Sequence, residues 1–338
     1  MAPTPDSSPP ALSPPDAGLE EVAECLAGEV HLAYAHRPES GITAVAAAFT
    51  PETARARARA RASALVVLHG LPDGLAAPCS PDERELCLAD FMPEPPAERH
   101  VRVSGDGLLS GERYTLPAEV VWLGDRDCRV EPTAVGVVGA AGVPGAIADL
   151  LAHDMVTRWW ANPRMPLLRV SQYLAAMIPP RVAEAVSLLG LRVSAFALPG
   201  PGFQIAVVGV SGDGTTIATA AARSVEDAVA EAFLRALAAR TEPWNTLPTA
   251  DSLRRLTVWH REVDYLAHLE WSALDADATV LGRPGEAASS WADIACRRFG
   301  HEPVVVASEA GEPVKVVCPG AACYRTVPPG TSLPCPVP

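Results

Sequence analysis

The stretch that most restricts the fold runs from Arg192 to Thr241 and predicts strands joined by turns, followed by a long helix. RVSAFAL and FQIAVVGV are apolar runs joined at PGPG, and SGDG then supplies a turn to a further strand. SVEDAVAEAFLRALAART follows with a capping-box pattern formed by Ser224 and Asp227. Strand pairs joined by turns and interleaved with long helices predict an α+β fold in which helices pack on mixed sheets.

Other segments fit this class. ARARARARA, from Ala54, continues through SALVVLHGL as a helix; its alternating arginines fall on opposite flanks, which favours a solvated helix over a docking patch. AIADLLAHDMVTRWWANP and VAEAVSLLGL also predict helices. EVVWLG, AVGVVGAAG, HEPVVVA and PVKVVCP predict strands, and the Pro- and charge-rich stretch from Leu71 to Arg102 predicts loops.

Composition predicts where the folded domain begins and ends. Residues 1–18 are rich in Pro and Ser and predict a disordered tail, residues 19–330 one domain, and residues 331–338 a Pro-rich C-terminal tail. No apolar run approaches the roughly 18 residues of a membrane helix, and the N-terminus lacks the pattern of a signal peptide. We therefore expect a cytoplasmic protein without a membrane partner.

Charge and motifs exclude several functions. A net charge of −13 argues against nucleic-acid binding, because a phosphate backbone requires a basic surface. Lys315 is the sole lysine, it does not follow GxxxxG, and its neighbours predict a buried strand, so the chain has no P-loop. GVVGAAGVPG does not match the dinucleotide fingerprint G-x-G-x-x-G, and no Ser-His-Asp constellation is readable.

Metal ligands are sparse. The eight cysteines predict reduced thiols, and the C-x4-C pair Cys318 and Cys323 lacks the other two ligands of a zinc site. His260, Asp264 and His268 share one helix face at i, i+4 and i+8 and form the better metal candidate. Without a further ligand, a half-exposed polar face is the favoured interpretation. We therefore predict no metal site.

Four segments, taken in order, resemble motifs of the YcaO family, whose members use ATP to activate backbone amides of ribosomal peptides. TLPAEVVWLG resembles the family's strand around V-P-A. PTAVGVVGAAGVPGAIADLLAHDMVTRWW resembles its T-S-N-G-x-A-x-G turn and E-x-x-E-R-D-x-x-x-x-W-W helix. FQIAVVGVSGDGTTIATAAARSVEDAVAEAFLRAL is similar to its second strand pair and A-L-x-R-A-x-x-E helix, and PVKVVCPG to V-x-K-V-V-x-P-G. The resemblance begins near Gly41 and implies a YcaO-like fold.

The final residues, PCPVP, place Pro334, Pro336 and Pro338 in P-x-P-x-P. YcaO proteins that cyclise Cys, Ser and Thr into azolines commonly end in this motif, with the terminal carboxylate near the active site. A polyproline II tail without function is the other interpretation, since the chain contains 34 prolines. A sequence that ends on the last proline of the motif favours the azoline-forming branch.

Active YcaO proteins hold magnesium and the ATP phosphates with paired glutamates from three helices. Mg²⁺ prefers hard oxygen ligands, and a triphosphate without a P-loop is held largely through bridging metals. On the helix after the glycine-rich turn, the first glutamate aligns with Asp149, the second with Ala152, the arginine with His153 and the aspartate with Asp154.

The other two helices depart from the family in the same way. On the early helix, the paired glutamates align with Val67 and Gly70. On the third, the family's arginine aligns with Glu231 and its glutamate with Arg235, while Val135 replaces the asparagine of T-S-N-G. The resemblance thus implies a vestigial nucleotide and metal pocket, with no catalytic residues and no confident cofactor ligands; its members are Asp149, Ala152, Asp154, Glu231 and Arg235.

Our leading hypothesis is a non-catalytic YcaO-like subunit, without a cofactor, in a complex that forms azolines, thiazoles or oxazoles in ribosomal peptides. It would bind the precursor peptide or a partner enzyme, either a cyclodehydratase or a flavin dehydrogenase. The alternative is an active ATP- and Mg-dependent cyclodehydratase with relocated ligands, for which Asp149, Asp154 and Glu231 are the candidates. A third possibility is a peptide-carrying module outside any complex.

Trp159 and Trp160 bear on assembly, because large apolar side chains seldom remain exposed as a patch. They would lie either in an interface or in the core. Since YcaO proteins are often dimeric, we expect a homodimer or a complex with a modifying enzyme.

Overall fold

The computed structural model describes residues 20–70, 83–92, 95, 100–124, 134–212, 214–241, 264–280 and 289–322. The predicted tails, with Pro334, Pro336 and Pro338, lie outside the described residues, as do His260 and Cys323. None of the helices in the described ranges combines the length and apolar character needed to cross a membrane.

Strands and helices alternate along the described chain. The strands are β1 (Glu20–Cys25), β2 (Val30–Arg37), β3 (Ile42–Ala48), β4 (Arg84–Glu85), β5 (Arg102–Gly107), β6 (Arg113–Pro117), β7 (Leu167–Arg169), β8 (Arg192–Gly200), β9 (Phe203–Gly212), β10 (Gly214–Ala222), β11 (Ala273–Asp275), β12 (Val304–Ala307) and β13 (Pro313–Val317). The helices are α1 (Pro51–His69), α2 (Leu88–Phe91), α3 (Gly142–Ala161), α4 (Leu174–Met177), α5 (Pro180–Leu188), α6 (Val225–Thr241), α7 (Tyr265–Ser272) and α8 (Trp291–Phe299).

The strands form three sheets. The N-terminal sheet is antiparallel with the order β1-β2-β3. The central sheet has the order β10-β9-β8-β7-β11 and is antiparallel except for the β7–β11 pair. The outer sheet has the order β13-β12-β5-β6-β4, with β4 parallel to β6. Helices packed on mixed sheets confirm the predicted α+β class.

Two apolar cores lie on opposite faces of the N-terminal and central sheets. Ala33 and Ala44 of the N-terminal sheet and Phe196 of the central sheet point into the core shared with α1, α3 and the outer sheet. Val45 and Val208 point to the other side, where they pack with α4, α5 and α6. The sheets therefore form a layer with α1 and α3 in front and α6 behind.

The first turns of helix α1 pack closely on the N-terminal sheet because their buried side chains are alanines; the larger Leu65 and Leu68 follow only in the last turns. Ala54, Ala58 and Ala62, spaced by four residues, are at most 1% exposed. The outward-facing Arg55 is exposed, as predicted for a solvated helix, whereas Arg57 on the other flank is half-buried. The alternating arginines thus differ in environment, which the solvated-helix interpretation did not anticipate.

Several sequence predictions differ from the structure. AVGVVGAAG forms no strand, and its Val137 makes only an isolated bridge with Lys315. The stretch from Leu71 to Arg102, predicted as loops, contains β4 and α2 among its described residues.

EVVWLG does not form a strand: β6 ends at Pro117, and a 3₁₀ turn spans Ala118–Val120, where Trp122 donates to the Ala118 carbonyl oxygen at 2.7 Å. Proline lacks the N–H that would continue the ladder, which explains the early end. The N-terminal sheet was missed, because runs such as ITAVAAA are rich in alanine, which favours helix.

Candidate functional site

The acidic side chain of Asp149 lies on the front of the sheet layer, in the second turn of α3. Its Oδ1 accepts from Nη1 of Arg235 at 2.6 Å, and its Oδ2 accepts the backbone N–H of Gly136 at 3.0 Å. Gly136 adopts φ +78°, and a Cβ there would lie 2.3 Å from the Val316 carbonyl oxygen. Only glycine fits this approach, so the glycine-rich turn directs an N–H at the carboxylate.

Arg235 connects Asp149 to two further charged side chains. Its Nε donates to Glu231 at 3.2 Å, one turn earlier on α6, and Glu231 in turn pairs with Arg57 of α1 at 2.9 Å. We call Arg57, Glu231, Arg235 and Asp149 the ion-pair chain. Two cations alternate with two anions, and each carboxylate has an arginine partner.

The ion-pair chain crosses the sheet layer between two strand edges. Arg235 and Glu231 extend from α6 behind the layer, whereas Asp149 and Arg57 extend from α3 and α1 in front. On the way, Arg235 donates to the Thr219 carbonyl of β10 at 3.3 Å and Arg57 to the Ala47 carbonyl of β3 at 3.3 Å. Since β3 and β10 are the outer strands of their sheets in the described chain, the arginines cap edge carbonyls and tie three helices together.

The neighbouring charges keep Asp149 and Arg235 of the ion-pair chain ionised. Burial opposes ionisation of Asp149, but the charge of Arg235, the Gly136 N–H and the Arg235 hydrogen bond together keep the pKa of this carboxyl below its ordinary value. Burial alone would lower the pKa of Arg235, yet the carboxylates of Asp149 and Glu231 raise it. The side chains are 22% and 37% exposed, so water screens part of this attraction.

The positions that align with the other family acids are apolar and packed. Ala152 is fully buried in the front core. Val67 packs half-buried against the same core, and Gly70 is the C-cap of α1, where its N–H donates to the Val67 carbonyl. Val135, at the position of the family's asparagine, is 8% exposed. None of these four positions carries a side-chain oxygen that could act as a metal ligand.

Asp154 lies apart from the ion-pair chain. It is fully buried and pairs with Arg158 at 2.8 Å and with Arg298 of α8 at 2.9 Å. Five residues after Asp149, it points about 140° around the helix axis. Of the five residues assigned to the vestigial pocket, the structure brings Asp149, Glu231 and Arg235 into contact and directs Asp154 elsewhere.

The other metal candidates do not form a described site. Asp264 is the N-cap of α7, where its carboxylate accepts the Ala267 N–H at 2.9 Å and pairs with Arg192. His268 packs against the Trp160 ring at 5.2 Å. Within the described ranges, no group of three or more His, Cys, Asp or Glu side chains could hold a metal ion.

Lys315 and the paired tryptophans occupy structural positions. Lys315 is 1% exposed in β13, which confirms the predicted buried strand. Trp159 and Trp160 are each 8% exposed and belong to the front core, and the Trp159 indole N–H donates to the Met165 carbonyl at 2.9 Å. Their burial favours the core interpretation over an interface.

Arg57 is the site residue that sequence reasoning missed. It also lines a surface cleft of about 480 Å³, whose walls are α1 and the turn that leads into α3. The cleft is lined by Glu52, Thr53, Ala56, Arg57, Ala140 and Ala141. The sequence did contain a signal for Arg57. Alanines recur at every fourth position of α1, which defines the buried face of the helix and places Arg57 at the border of that face.

No family model matches the chain, and no curated protein matches it in sequence. Solved structures share its fold. The YcaO protein of Methanopyrus kandleri, solved with AMPPCP and Mg²⁺, superposes with a TM-score of 0.63 at 16% identity over 90% of this chain and 86% of that chain. A chain of the E. coli microcin synthetase McbBCD complex gives 0.60 at 11% identity over 96% and 99%.

A heterocyclase in complex with substrate and cofactor gives a TM-score of 0.62 at 13% identity over 88% of this chain. This chain spans about half the length of that heterocyclase, covering 48% of it. The sequence resemblance to the YcaO family is therefore confirmed at the level of the fold.

Proposed function

We propose that this chain is a non-catalytic YcaO-like subunit of a complex that modifies ribosomally made peptides, where it binds the precursor peptide or a partner enzyme. The single observation that carries the proposal is the guanidinium of Arg235 between Asp149 and Glu231, at 2.6 and 3.2 Å. It places a cation fixed to the fold at the position where the family resemblance implies a metal-binding glutamate.

The residues present do not fit MgATP. A magnesium ion requires a near-octahedral set of oxygen ligands at about 2.0–2.1 Å. Both carboxylates of the ion-pair chain are already neutralised by arginines, and Ala152 supplies no oxygen. Binding a divalent cation would require Arg235 to leave two carboxylates, and the repulsion between the guanidinium and the ion opposes this.

An active ATP- and Mg-dependent cyclodehydratase is the second candidate, favoured by the AMPPCP and Mg²⁺ in the YcaO protein of M. kandleri. It would rely on Asp149, Asp154 and Glu231 as relocated ligands. The contacts of Asp154 count against it, because this carboxylate is fully buried and turned toward Arg158 and Arg298. We therefore rank it second.

The structural neighbours support the kind of partner that we propose. Microcin synthetase is a complex, and the heterocyclase was solved with substrate and cofactor. A chain with the same fold and a neutralised pocket fits the role of a subunit beside a catalytic cyclodehydratase or a flavin dehydrogenase. Copurification distinguishes three possible assemblies: a homodimer, a hetero-complex, and a module that carries the peptide outside any complex.

Nucleotide binding tests the proposal directly. We expect calorimetric titration with MgATP and MgADP to show no saturable binding at millimolar ligand, because Arg235 stands where the family resemblance implies a metal-binding glutamate. The YcaO protein of M. kandleri is the positive control, since it was solved with AMPPCP and Mg²⁺. Saturable binding in the micromolar range would overturn the non-catalytic assignment and favour the active cyclodehydratase.

Charge reversal at Arg235 provides a second test of the same site, because it restores a carboxylate where the wild type has a guanidinium. Arg235→Glu places three carboxylates together at the front of α6, and we expect weak, millimolar Mg²⁺ affinity to appear without nucleotide turnover. Arg240→Glu on the same helix is the matched control, since Arg240 contacts the Val210 carbonyl rather than a carboxylate. Ala152→Glu is unsuitable as a partner substitution, because Ala152 is fully buried and the new charge would be desolvated.

A further inference from the structure

The central sheet ends at β11, whose outer side has no neighbouring strand within the described chain. Ala276, directly after β11, donates its N–H to the Arg169 carbonyl of β7 at 3.0 Å. Because successive residues of a strand turn their main-chain groups to opposite sides, the N–H and C=O of Ala273 and Asp275 face away from β7. The edge therefore offers main-chain donors and acceptors to one more strand.

Apolar side chains are concentrated at the same edge. Three of the seven large apolar side chains that are exposed in the described ranges lie here: Trp271 is 86%, Leu274 61% and Met165 40% exposed. Trp271 and Met165 each lie two residues before Ala273 and Leu167, which pair in the register of β11 and β7, so both are at the same end of the strand pair. Single exposed apolar residues are ordinary, whereas a group of them beside an open strand edge marks an interaction surface.

The edge is held in place from its inner side. Arg169 donates from Nη2 to the Glu270 carbonyl in the last turns of α7 at 2.7 Å, and its Nη1 lies 3.4 Å from the Asp275 carboxylate. Beyond the strand, Tyr173 donates its O–H to the Ala276 carbonyl at 3.3 Å. A binding partner would therefore meet an edge whose position is already fixed, which reduces the entropic cost of association.

We propose that β11, Trp271, Leu274 and Met165 form a peptide-docking edge, which binds an extended segment of a partner peptide as an additional strand. Strand addition takes its affinity from main-chain hydrogen bonds and its selectivity from side chains at alternate positions. The peptide-docking edge rests on the proposed function, because it would be the surface by which the chain holds a peptide.

The size of the edge favours a short peptide over a second folded copy of the chain. β11 has three residues, and a buried tryptophan contributes only about 150–250 Å². One tryptophan, one leucine and one methionine fall well short of the roughly 800 Å² that each partner buries in a stable interface between folded proteins. The occupant is therefore an extended segment of a few residues.

Charge specifies the peptide further. The Asp275 carboxylate is 77% exposed, and the exposed Asp277 follows two residues later. Opposite charges at directly paired cross-strand positions are stabilising, so a Lys or Arg is favoured opposite Asp275. Leu274 points to the other face of the sheet, where an apolar side chain is favoured opposite it. The peptide-docking edge thus fits a segment in which basic and apolar residues alternate.

Fluorescence anisotropy with a labelled peptide tests the peptide-docking edge on the full chain. We expect the probe KVKVKV to bind saturably, with a Kd below about 1 mM. Two related probes should bind at least about tenfold more weakly: EVEVEV, which reverses the charge, and a KVKVKV whose backbone amides are all N-methylated, which donates no main-chain hydrogen bond.

Variants show where the probe binds. Trp271→Ala and Leu274→Asp should each weaken KVKVKV binding about fivefold or more, as expected for an apolar anchor. Both side chains are exposed, so neither substitution should unfold the chain. Leu188→Asp on α5 is the matched control, because Leu188 is 80% exposed and lies outside the peptide-docking edge, and it should leave the Kd unchanged.

Three results would overturn the proposal: no saturable KVKVKV binding by the folded chain, equally tight binding of EVEVEV, or an equal loss of binding in Leu188→Asp. Light scattering that shows a dimer in the wild type and a monomer in Leu274→Asp would assign the edge to a second copy instead. Failure of the peptide-docking edge would leave the proposed function in place, since a subunit can hold a partner enzyme elsewhere. Micromolar MgATP binding would do the reverse.

Discussion

Asp149 and Asp154 lie on one helix, both pair with arginine, and both align with acidic positions of a family motif, yet they belong to different environments. Asp149 is partly open to solvent, and its partner Arg235 comes from a helix on the other side of the sheet layer. Asp154 is sealed, and one of its arginines lies on its own helix.

The comparison teaches that the partners of a carboxylate, and not its place in a motif, decide its role. Asp149 is joined to a series of charges beside a cleft, where water reaches both partners of its ion pair. Asp154 is itself fully buried and accepts from two partly exposed arginines and one backbone N–H. The same residue type therefore marks a candidate binding site in one place and a structural anchor in the other.

Removing the sealed carboxylate should have the largest effect. Asp154→Asn removes a fully buried acceptor of three donors; because Arg158 is 53% and Arg298 27% exposed, water screens the two arginines left behind, and we expect the free energy of unfolding to fall by about 3 kcal/mol. Urea denaturation of the purified variant measures it. If Asp154→Asn lost less unfolding free energy than Asp149→Asn, the comparison would be wrong, because the more buried carboxylate would then contribute less to stability.

Asp149→Asn should cost less, about 1–3 kcal/mol, because Arg235 keeps Glu231 as a partner and water reaches the site. The folded pKa of Asp149 lies below its unfolded value of about 3.9, so its stabilising contribution is full above that pH and is lost as the pH falls through the folded pKa. We expect the stability difference between wild type and Asp149→Asn to be constant from pH 5 to 7 and to shrink below about pH 4. A difference that persists at low pH would argue for lost packing instead of lost charge.

Arg57→Gln should have the smallest effect, at most about 1 kcal/mol. Its side chain and that of Glu231 are each about one third exposed, and Arg235 still neutralises Glu231 after the substitution. Thermal denaturation in low and high salt checks this, because a screened pair should lose most of its contribution at high ionic strength. A loss comparable to that of Asp149→Asn would show that the four charges act as one cooperative unit.

Much of the fold was predictable from local patterns. The strand, turn and helix signals from Arg192 to Thr241 correspond to β8, β9, β10 and α6, and Ser224 accepts the Asp227 N–H at 3.1 Å as the capping box requires. HEPVVVA and PVKVVCP form β12 and β13, which pair with each other. These segments carry strong local preferences that agree with their surroundings.

What sequence could not predict depends on distant neighbours. The substitution of Arg235 for a family glutamate was visible, but its contacts with Asp149 on α3 and Thr219 on β10 come from elements far apart in the chain. Asp154 was assigned to the pocket because its motif position gives no sign that Ala322 lies beside it. Likewise, the short apolar run EVVWLG is compatible with strand or turn, and Pro117 decided between them.

Arg235 also changes how this part of the molecule depends on its surroundings. A metal ion that joins two carboxylates leaves when its concentration falls, whereas a guanidinium built into α6 stays near Asp149 at an effective concentration set by the fold. On the function we propose, the junction of α1, α3 and α6 is held by its own side chains from the moment the chain folds, and its shape does not depend on the supply of magnesium or nucleotide.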